Sequence, residues 1–233
     1  MTPVLLGAAA AVVTLIGGLV ALRFSQHLWL LLSVAAGVVV GVAVFDLYPE
    51  AIALGETSHG LRPLAIALGV GFCAYLLLGR GFGASASGSA HWRQNVAPAT
   101  LAVHSVIDGL GIGLAFQIGG RSGWLIALAV LAHDFADGVN TIGVSLASRD
   151  AKAARIWLAI NSAAPIAGVL LGQRLQMAPD ALALLLAGFA GAFLYIGACE
   201  LIPRSRALDP GPRTAAASVA GLMLMAVVTG MAR

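Results

Sequence analysis

Two copies of the pattern His-x-x-x-Asp-Gly stand in hydrophobic stretches of the chain, at 104–109 and 133–138. A spacing of four residues places imidazole and carboxylate on one face of an α-helix. Nitrogen and oxygen ligands of this kind bind divalent metal ions, and ionisable groups inside a membrane segment mark functional sites. The motifs therefore predict a metal site between two helices. Its expected ligands are His104, Asp108, His133, Asp134 and Asp137.

The composition identifies the kind of protein that must position these groups. The 233 residues are 60% hydrophobic and 10% charged, and the mean hydropathy is +0.95. Apolar segments this long and continuous predict an all-α polytopic membrane protein and exclude a soluble domain. No basic patch is interleaved with aromatic residues, so we expect no nucleic-acid partner. The lipid bilayer and metal ions are the expected partners, and a homodimer is one candidate assembly.

Apolar runs of about 20 residues predict eight transmembrane helices. Their expected limits are 3–22, 28–48, 62–79, 96–118, 122–147, 153–174, 180–203 and 213–231. We interpret 1–233 as one transporter domain: spans one to three in 1–79, a flexible Gly/Ser-rich cytoplasmic loop at 80–95, the metal-binding spans four and five in 96–147, and spans six to eight in 148–233.

Basic residues predict the orientation. Nine of them follow the odd-numbered spans, namely Arg23, Arg80, Arg93, Arg149, Lys152, Arg155, Arg204, Arg206 and Arg213, whereas Arg62, Arg121, Arg174 and Arg233 lie on the other side. The positive-inside rule then places the first set in the cytoplasm and both termini outside. The first span lacks the basic start of a signal peptide. With compact loops, this favours a bacterial inner membrane.

A weaker internal repeat links spans two and seven. Asp46 and Glu200 each begin the pattern acid-Leu-x-Pro, and each follows an Ala-Gly pair nine residues earlier. Since the two spans cross the membrane in opposite directions, the match predicts inverted repeats, one to three and six to eight, around a core of spans four and five. This 3+2+3 arrangement is typical of secondary transporters. We expect Asp46 and Glu200 to line the transport pathway, each three residues before a proline that ends its helix.

Spans four and five are antiparallel, so their polar groups lie at similar depth. At 1.5 Å per residue, these groups stand roughly 12–21 Å from the cytoplasmic end, near the midplane. His104 can then face Asp137, and Asp108 can face His133. Imidazoles with two or three carboxylates suit Zn²⁺ first, and also Fe²⁺, Mn²⁺, Co²⁺ or Cd²⁺, better than Mg²⁺ or Ca²⁺. Asn140 and Asn161 either support such a site or tie helices together.

These motifs resemble the ZIP family of divalent metal transporters over nearly the whole chain. The resemblance rests on Asp-Leu-Tyr-Pro-Glu-Ala at the end of span two, His-Ser-Val-x-Asp-Gly in span four and His-Asp-Phe-x-Asp-Gly in span five. The Phe-Leu-Tyr-Ile-Gly-Ala-Cys-Glu-Leu-Ile-Pro segment of span seven also fits.

The resemblance implies eight spans, external termini and import of metal toward the cytosol without ATP. It also implies a binuclear centre on His104, Ser105, Asp108, His133, Asp134 and Asp137. Here Ser105 replaces the asparagine of many members and aspartates replace their glutamates. No acid stands in span six, where only Asn161 could serve. Metal would pass Asp46, bind between spans four and five, and leave past Glu200.

Two other functions fit parts of the pattern. His133-Asp134-x-x-Asp137 loosely resembles the His-Glu-x-x-His motif of zinc hydrolases, although the second histidine is missing. An ion-coupled transporter of an organic solute would share the fold without the metal. We expect a transporter rather than an enzyme, whose metal is its substrate, and no organic cofactor.

Overall fold

The computed structural model describes residues 1–84, 90–146 and 151–232. All regular structure in these ranges is helical. The helices are α1 (Thr2–Arg23), α2 (Leu28–Val42), α3 (Tyr48–His59), α4 (Leu61–Ala84), α5 (Ala90–Ile118), α6 (Gly120–Leu146), α7 (Ala151–Gly172), α8 (Pro179–Tyr195), α9 (Ile202–Leu208) and α10 (Pro212–Ala232). A short 3₁₀ turn, Ser25–His27, precedes α2, and π-helical turns, Ala43–Leu47 and Ile196–Leu201, join α2 to α3 and α8 to α9.

Six helical stretches of the described chain are long and apolar enough to cross a membrane. They are Thr2–Arg23, Ser25–His59, Pro98–Gln117, Ala151–Gly172, Pro179–Leu208 and Pro212–Gly230, and a shorter apolar helix covers Leu61–Leu77. The protein is therefore an all-helical, polytopic membrane protein, as the composition predicts. The count of eight spans and their orientation stay predictions.

Two predicted helix ends are wrong. Pro49 and Pro203 do not end spans two and seven, because each lies in the first turn of a further helix, α3 or α9. Proline is tolerated there because its missing N–H and fixed φ suit the first turn. The π-helical turn just before each proline lets the chain continue as one long stretch, to His59 and to Leu208.

The segment between spans three and four is shorter than the loop that the sequence predicts over 80–95. In the structure, α4 runs to Ala84 and α5 begins at Ala90. Residues 85–89 of the predicted loop lie outside the described residues. Residues 147–150, which include one of the predicted cytoplasmic arginines, also lie outside them.

The chain forms two compact units. The first combines Met1–Ser25 with Leu77–Gln176 and so contains α1, α5, α6 and α7. Glycines bring these helices together so closely that an added Cβ would overlap a backbone carbonyl of the partner helix. Between α1 and α6 the approaches are Gly17 on Phe135 and Gly138 on Thr14, and between α5 and α7 they are Gly168 on Val106 and Gly109 on Pro165. Such small-residue contacts are a common basis of helix packing in membranes.

The second unit combines Gln26–Leu76 with Met177–Arg233. It too is held by close glycine contacts, with Gly37 of α2 on Ser218 of α10 and Gly191 of α8 on Leu68 of α4. Gly60 joins α3 to α4 at a φ of 72°, a left-handed conformation that glycine adopts without the steric cost of a Cβ.

Candidate metal centre

The first unit contains a buried cluster of four ionisable side chains. His104 and Asp108 lie on α5, and His133 and Asp137 lie on α6, each pair one helical turn apart. All four are buried, with exposed fractions of 1–4%. Gly109 and Gly138 directly follow the two aspartates and pack on the backbones of α7 and α1. The residues with carboxylates are therefore held at close contacts of each helix with a neighbour.

The four side chains present two Nε2 and two Oδ2 atoms to one another. Asp108 Oδ2 lies 3.2 Å from His104 Nε2 and 3.3 Å from His133 Nε2. Asp137 Oδ2 lies 3.7 Å from His104 Nε2 and 3.8 Å from His133 Nε2. Each carboxylate thus faces the histidine of its own helix and the histidine of the other helix.

These distances suit a transition-metal site. One ligand atom from each of the four residues can be chosen so that all lie within 4.8 Å of one another. A tetrahedral ion with bonds of about 2.0–2.1 Å has ligand–ligand edges of roughly 3.3–3.4 Å. The nitrogen–oxygen distances of 3.2–3.8 Å therefore need only small changes to hold one ion. Two imidazoles and two carboxylates favour Zn²⁺ and its first-row neighbours over Mg²⁺ or Ca²⁺.

Asp134 lies beside this group but is not one of the four. Its side chain is fully buried in α6, and neither carboxylate oxygen has a hydrogen-bond partner among the residues that the structure describes. A buried charge without a partner is costly. Its assignment as a ligand stays a prediction, although its position next to His133 keeps it close to any bound cation.

A chain of hydrogen bonds borders the cluster. The Ser105 hydroxyl donates to Asn161 Oδ1 at 2.6 Å, and Asn161 Nδ2 donates to Thr141 Oγ1 at 2.6 Å. Thr141 in turn donates to the backbone carbonyl of Asp137 at 2.8 Å. Sequence analysis did not single out Thr141. Its position four residues after Asp137, and so on the same face of α6, is the signal that could have found it.

The remaining predicted residues lie at other positions. Asn140 is buried in α6 and does not belong to the group of four. Asp46 and Glu200 are partly buried and lie in the π-helical turns of the second unit. Their part in a transport pathway stays a prediction.

Comparison with known proteins identifies the family. A family model described as "ZIP Zinc transporter" matches residues 84–229, which is more than half of the chain and includes the four clustered residues. Proteins of this family are transporters and not enzymes, so the hydrolase alternative is set aside.

Individual relatives carry the same description. The chain is 29% identical to human zinc transporter ZIP4 over 116 residues, which are 48% of this chain and 18% of that protein. It is 29% identical to zinc transporter zipt-7.1 of Caenorhabditis briggsae, over 43% of this chain and 27% of that protein. It is 31% identical to protein zntC of Dictyostelium discoideum, over 55% and 34%. The matches thus cover about a third or less of each relative. The chain belongs to the ZIP zinc transporter family.

Proposed function

We propose that this protein is a secondary transporter that carries divalent transition-metal ions across a membrane toward the cytosol, with Zn²⁺ as its expected cargo. The binding site for the ion is the group of His104, Asp108, His133 and Asp137 between α5 and α6. The observation that carries the proposal is the convergence of two imidazole and two carboxylate ligand atoms within 4.8 Å, all from buried side chains.

The charges of the cluster favour a cation as ligand. Two carboxylates this close repel each other, and removal from water makes each ionised group more costly. Asp134 adds a third carboxyl group to the same part of α6. A divalent ion offsets this repulsion and offers each carboxylate a partner. The structural alternative, simple hydrogen bonds between helices, leaves Asp134 without compensation.

Transport requires that the ion reach a site closed to water. Because the four ligands are at most 4% exposed, an ion can enter or leave only if the helices move. Inverted repeats supply such motion in secondary transporters by exchanging two equivalent conformations. No ATP is needed in this scheme, since the metal gradient itself drives the exchange.

Matched packing supports the inverted repeat. In the first unit, α1 and α6 each place a glycine on the carbonyl that lies three residues before the partner's glycine, and α5 and α7 do the same. In the second unit, Gly37 and Gly191 stand nine residues before Asp46 and Glu200 and make equivalent contacts with α10 and α4. These pairs relate α1 to α7, α2 to α8, α4 to α10, and α5 to α6. That is the correspondence expected for repeats of spans one to three and six to eight around spans four and five.

The direction and the pathway follow from the charge pattern and the repeat. Odd-numbered connections carry most of the basic residues, which places them in the cytoplasm. With this orientation, Asp46 is expected on the outer side and Glu200 on the inner side. Each lies in a π-helical turn, a local distortion that is frequent at functional sites.

The test is metal flux into proteoliposomes. Purified protein is reconstituted, and uptake of Zn²⁺, Cd²⁺, Fe²⁺, Mn²⁺, Co²⁺ and Mg²⁺ is measured. We expect saturable uptake of one or more transition metals and no uptake of Mg²⁺. The variant His104→Ala/Asp137→Ala removes one imidazole and one carboxylate from the cluster and should abolish uptake.

The chain offers a matched control. His59 and Asp180 form another histidine–aspartate contact, with 4.0 Å between Nε2 and Oδ2, on α3 and α8. The variant His59→Ala/Asp180→Ala removes the same atoms outside the cluster and should leave uptake intact. Equal uptake by wild type and the cluster variant, at equal amounts of folded protein, would show that the ion takes another route.

A further inference from the structure

Asn161 is the point at which three helices of the first unit are joined by side-chain hydrogen bonds. Its amide links Ser105 of α5 to Thr141 of α6, and Asn161 itself lies on α7. All three side chains are buried, with exposed fractions of 0%. Buried polar groups that are fully paired fix the arrangement of the elements carrying them.

The direction of these hydrogen bonds defines what each group does. The hydroxyl hydrogen of Ser105 is given to Asn161 Oδ1, and the hydroxyl hydrogen of Thr141 is given to the Asp137 carbonyl. The Thr141 oxygen is then an acceptor for the Asn161 amide. Every donor in the chain of hydrogen bonds except one amide hydrogen of Asn161 is used once. The only side-chain oxygen of Asn161, the atom that could bind a metal, already accepts a hydrogen bond.

Both ends of the chain of hydrogen bonds reach the metal ligands through the backbone. Ser105 directly follows His104, and Thr141 bonds to the carbonyl of Asp137 itself. Any movement of Asn161 therefore changes the separation of α5 and α6 at the level of these two ligands. The opposite side differs, because Asp134 holds the position in the second motif that Ser105 holds in the first and has no hydrogen-bond partner within the described residues.

We propose that Asn161 is a positioning residue for the metal site, and not a metal ligand. Through Ser105 and Thr141 it fixes the distance between the ligands of α5 and those of α6, and so determines the affinity and the coordination geometry of the bound ion. The proposal rests on the proposed function, since it concerns the same site. Changes to groups that hold metal ligands in place typically lower affinity by about 10–100-fold.

The probe is Co²⁺, because its visible absorption depends on the number and geometry of its ligands. Co²⁺ is titrated into the full-length protein in detergent, and the dissociation constant, stoichiometry and spectrum are recorded. We expect Asn161→Leu, which removes both hydrogen bonds at similar size, to weaken binding by about 10–100-fold. The spectrum should change while the number of ions bound at saturation stays the same.

A second pair of variants separates positioning from simple loss of stability. Thr141→Val removes the hydroxyl at nearly constant shape and should act like Asn161→Leu. Thr141→Ser retains the hydroxyl and should restore the wild-type spectrum. Ser162→Ala is the control on α7, because the buried Ser162 hydroxyl has no hydrogen-bond partner within the described residues; its affinity and spectrum should match the wild type.

The possible outcomes of the Co²⁺ titration are distinguishable. Wild-type protein that binds no Co²⁺ contradicts the proposed function and the positioning role together. If the wild type binds Co²⁺ and Asn161→Leu matches it in affinity and spectrum, the positioning role is refuted while the proposed function stands. Loss of one bound ion in Asn161→Leu would make Asn161 a ligand and also refute the positioning role. Should Asn161→Leu fail to fold, the comparison of Thr141→Val with Thr141→Ser decides by itself.

Discussion

Replacing Gly138 by alanine tests whether helix packing positions the metal ligands. A Cβ at this position would lie 2.7 Å from the Gly18 nitrogen and 2.9 Å from the Thr14 carbonyl carbon, and closer still to the Thr14 oxygen. Ordinary contacts of a Cβ begin at 3.4 Å. The backbone of α6 must therefore move away from α1 by roughly 0.7 Å or more, since none of these atoms belongs to a flexible side chain.

This displacement acts directly on the metal site because Asp137 is the preceding residue. Metal–ligand distances are held within about 0.2 Å in functional sites, and a misplacement of about 1 Å commonly costs about 10²-fold. We therefore expect Gly138→Ala to weaken Zn²⁺ binding by about 100-fold, equivalent to about 2.7 kcal/mol. The affinity is measured by isothermal titration calorimetry on detergent-solubilised protein, after size-exclusion chromatography and circular dichroism have shown that the variant is folded.

The same substitution elsewhere provides the comparison. Gly109→Ala places a Cβ against the Pro165 backbone and should have the same effect through Asp108. Gly69→Ala meets no atom within 4 Å and should bind Zn²⁺ like the wild type. If folded Gly138→Ala and Gly109→Ala both bind Zn²⁺ within threefold of the wild type, close packing does not position the carboxylates and the reasoning fails.

Three further substitutions or conditions give distinct results. Asp108→Asn should lower Zn²⁺ affinity by more than about 100-fold, a larger loss than that of an indirect partner, because Asp108 Oδ2 lies within 3.3 Å of both histidine Nε2 atoms; equilibrium dialysis would reveal unchanged affinity if this is wrong. Zn²⁺ at 100 times its dissociation constant should raise the free energy of unfolding by about 2.7 kcal/mol, measured by thermal unfolding, with no rise in Asp108→Asn. Gly191→Leu should lower the thermal unfolding temperature without altering the metal affinity of the folded fraction, because its contact is with Leu68 in the second unit.

Much of the fold was predictable because its signals are local. Apolar length predicts membrane helices, and a four-residue spacing predicts which groups share a helix face. Both signals apply to α5 and α6, so the positions of His104, Asp108, His133 and Asp137 on these helices could be read from sequence. The facing of the two helices followed from their antiparallel order.

The rest depends on contacts between residues distant in sequence. The bond of Ser105 to Asn161 spans 56 positions, and no local pattern identifies such a partner. Proline gave a misleading local signal at Pro49, where the preceding π-helical turn accommodates it within a continuous stretch. The grouping of α1 with α5, α6 and α7 likewise depends on glycine contacts that become visible only once the helices are assembled.

The two π-helical turns have a consequence for the history of the chain. A π-helical turn contains one residue more than the α-helical turn it replaces, so each is the trace of an insertion. Both insertions stand just before a proline, and each includes the acidic residue of its span, Asp46 or Glu200. If the two halves arose by duplication of one ancestral segment, a single insertion that preceded the duplication accounts for both. The distortion would then be older than the present eight-span arrangement, and its acidic residue would have been present before the two halves took opposite orientations.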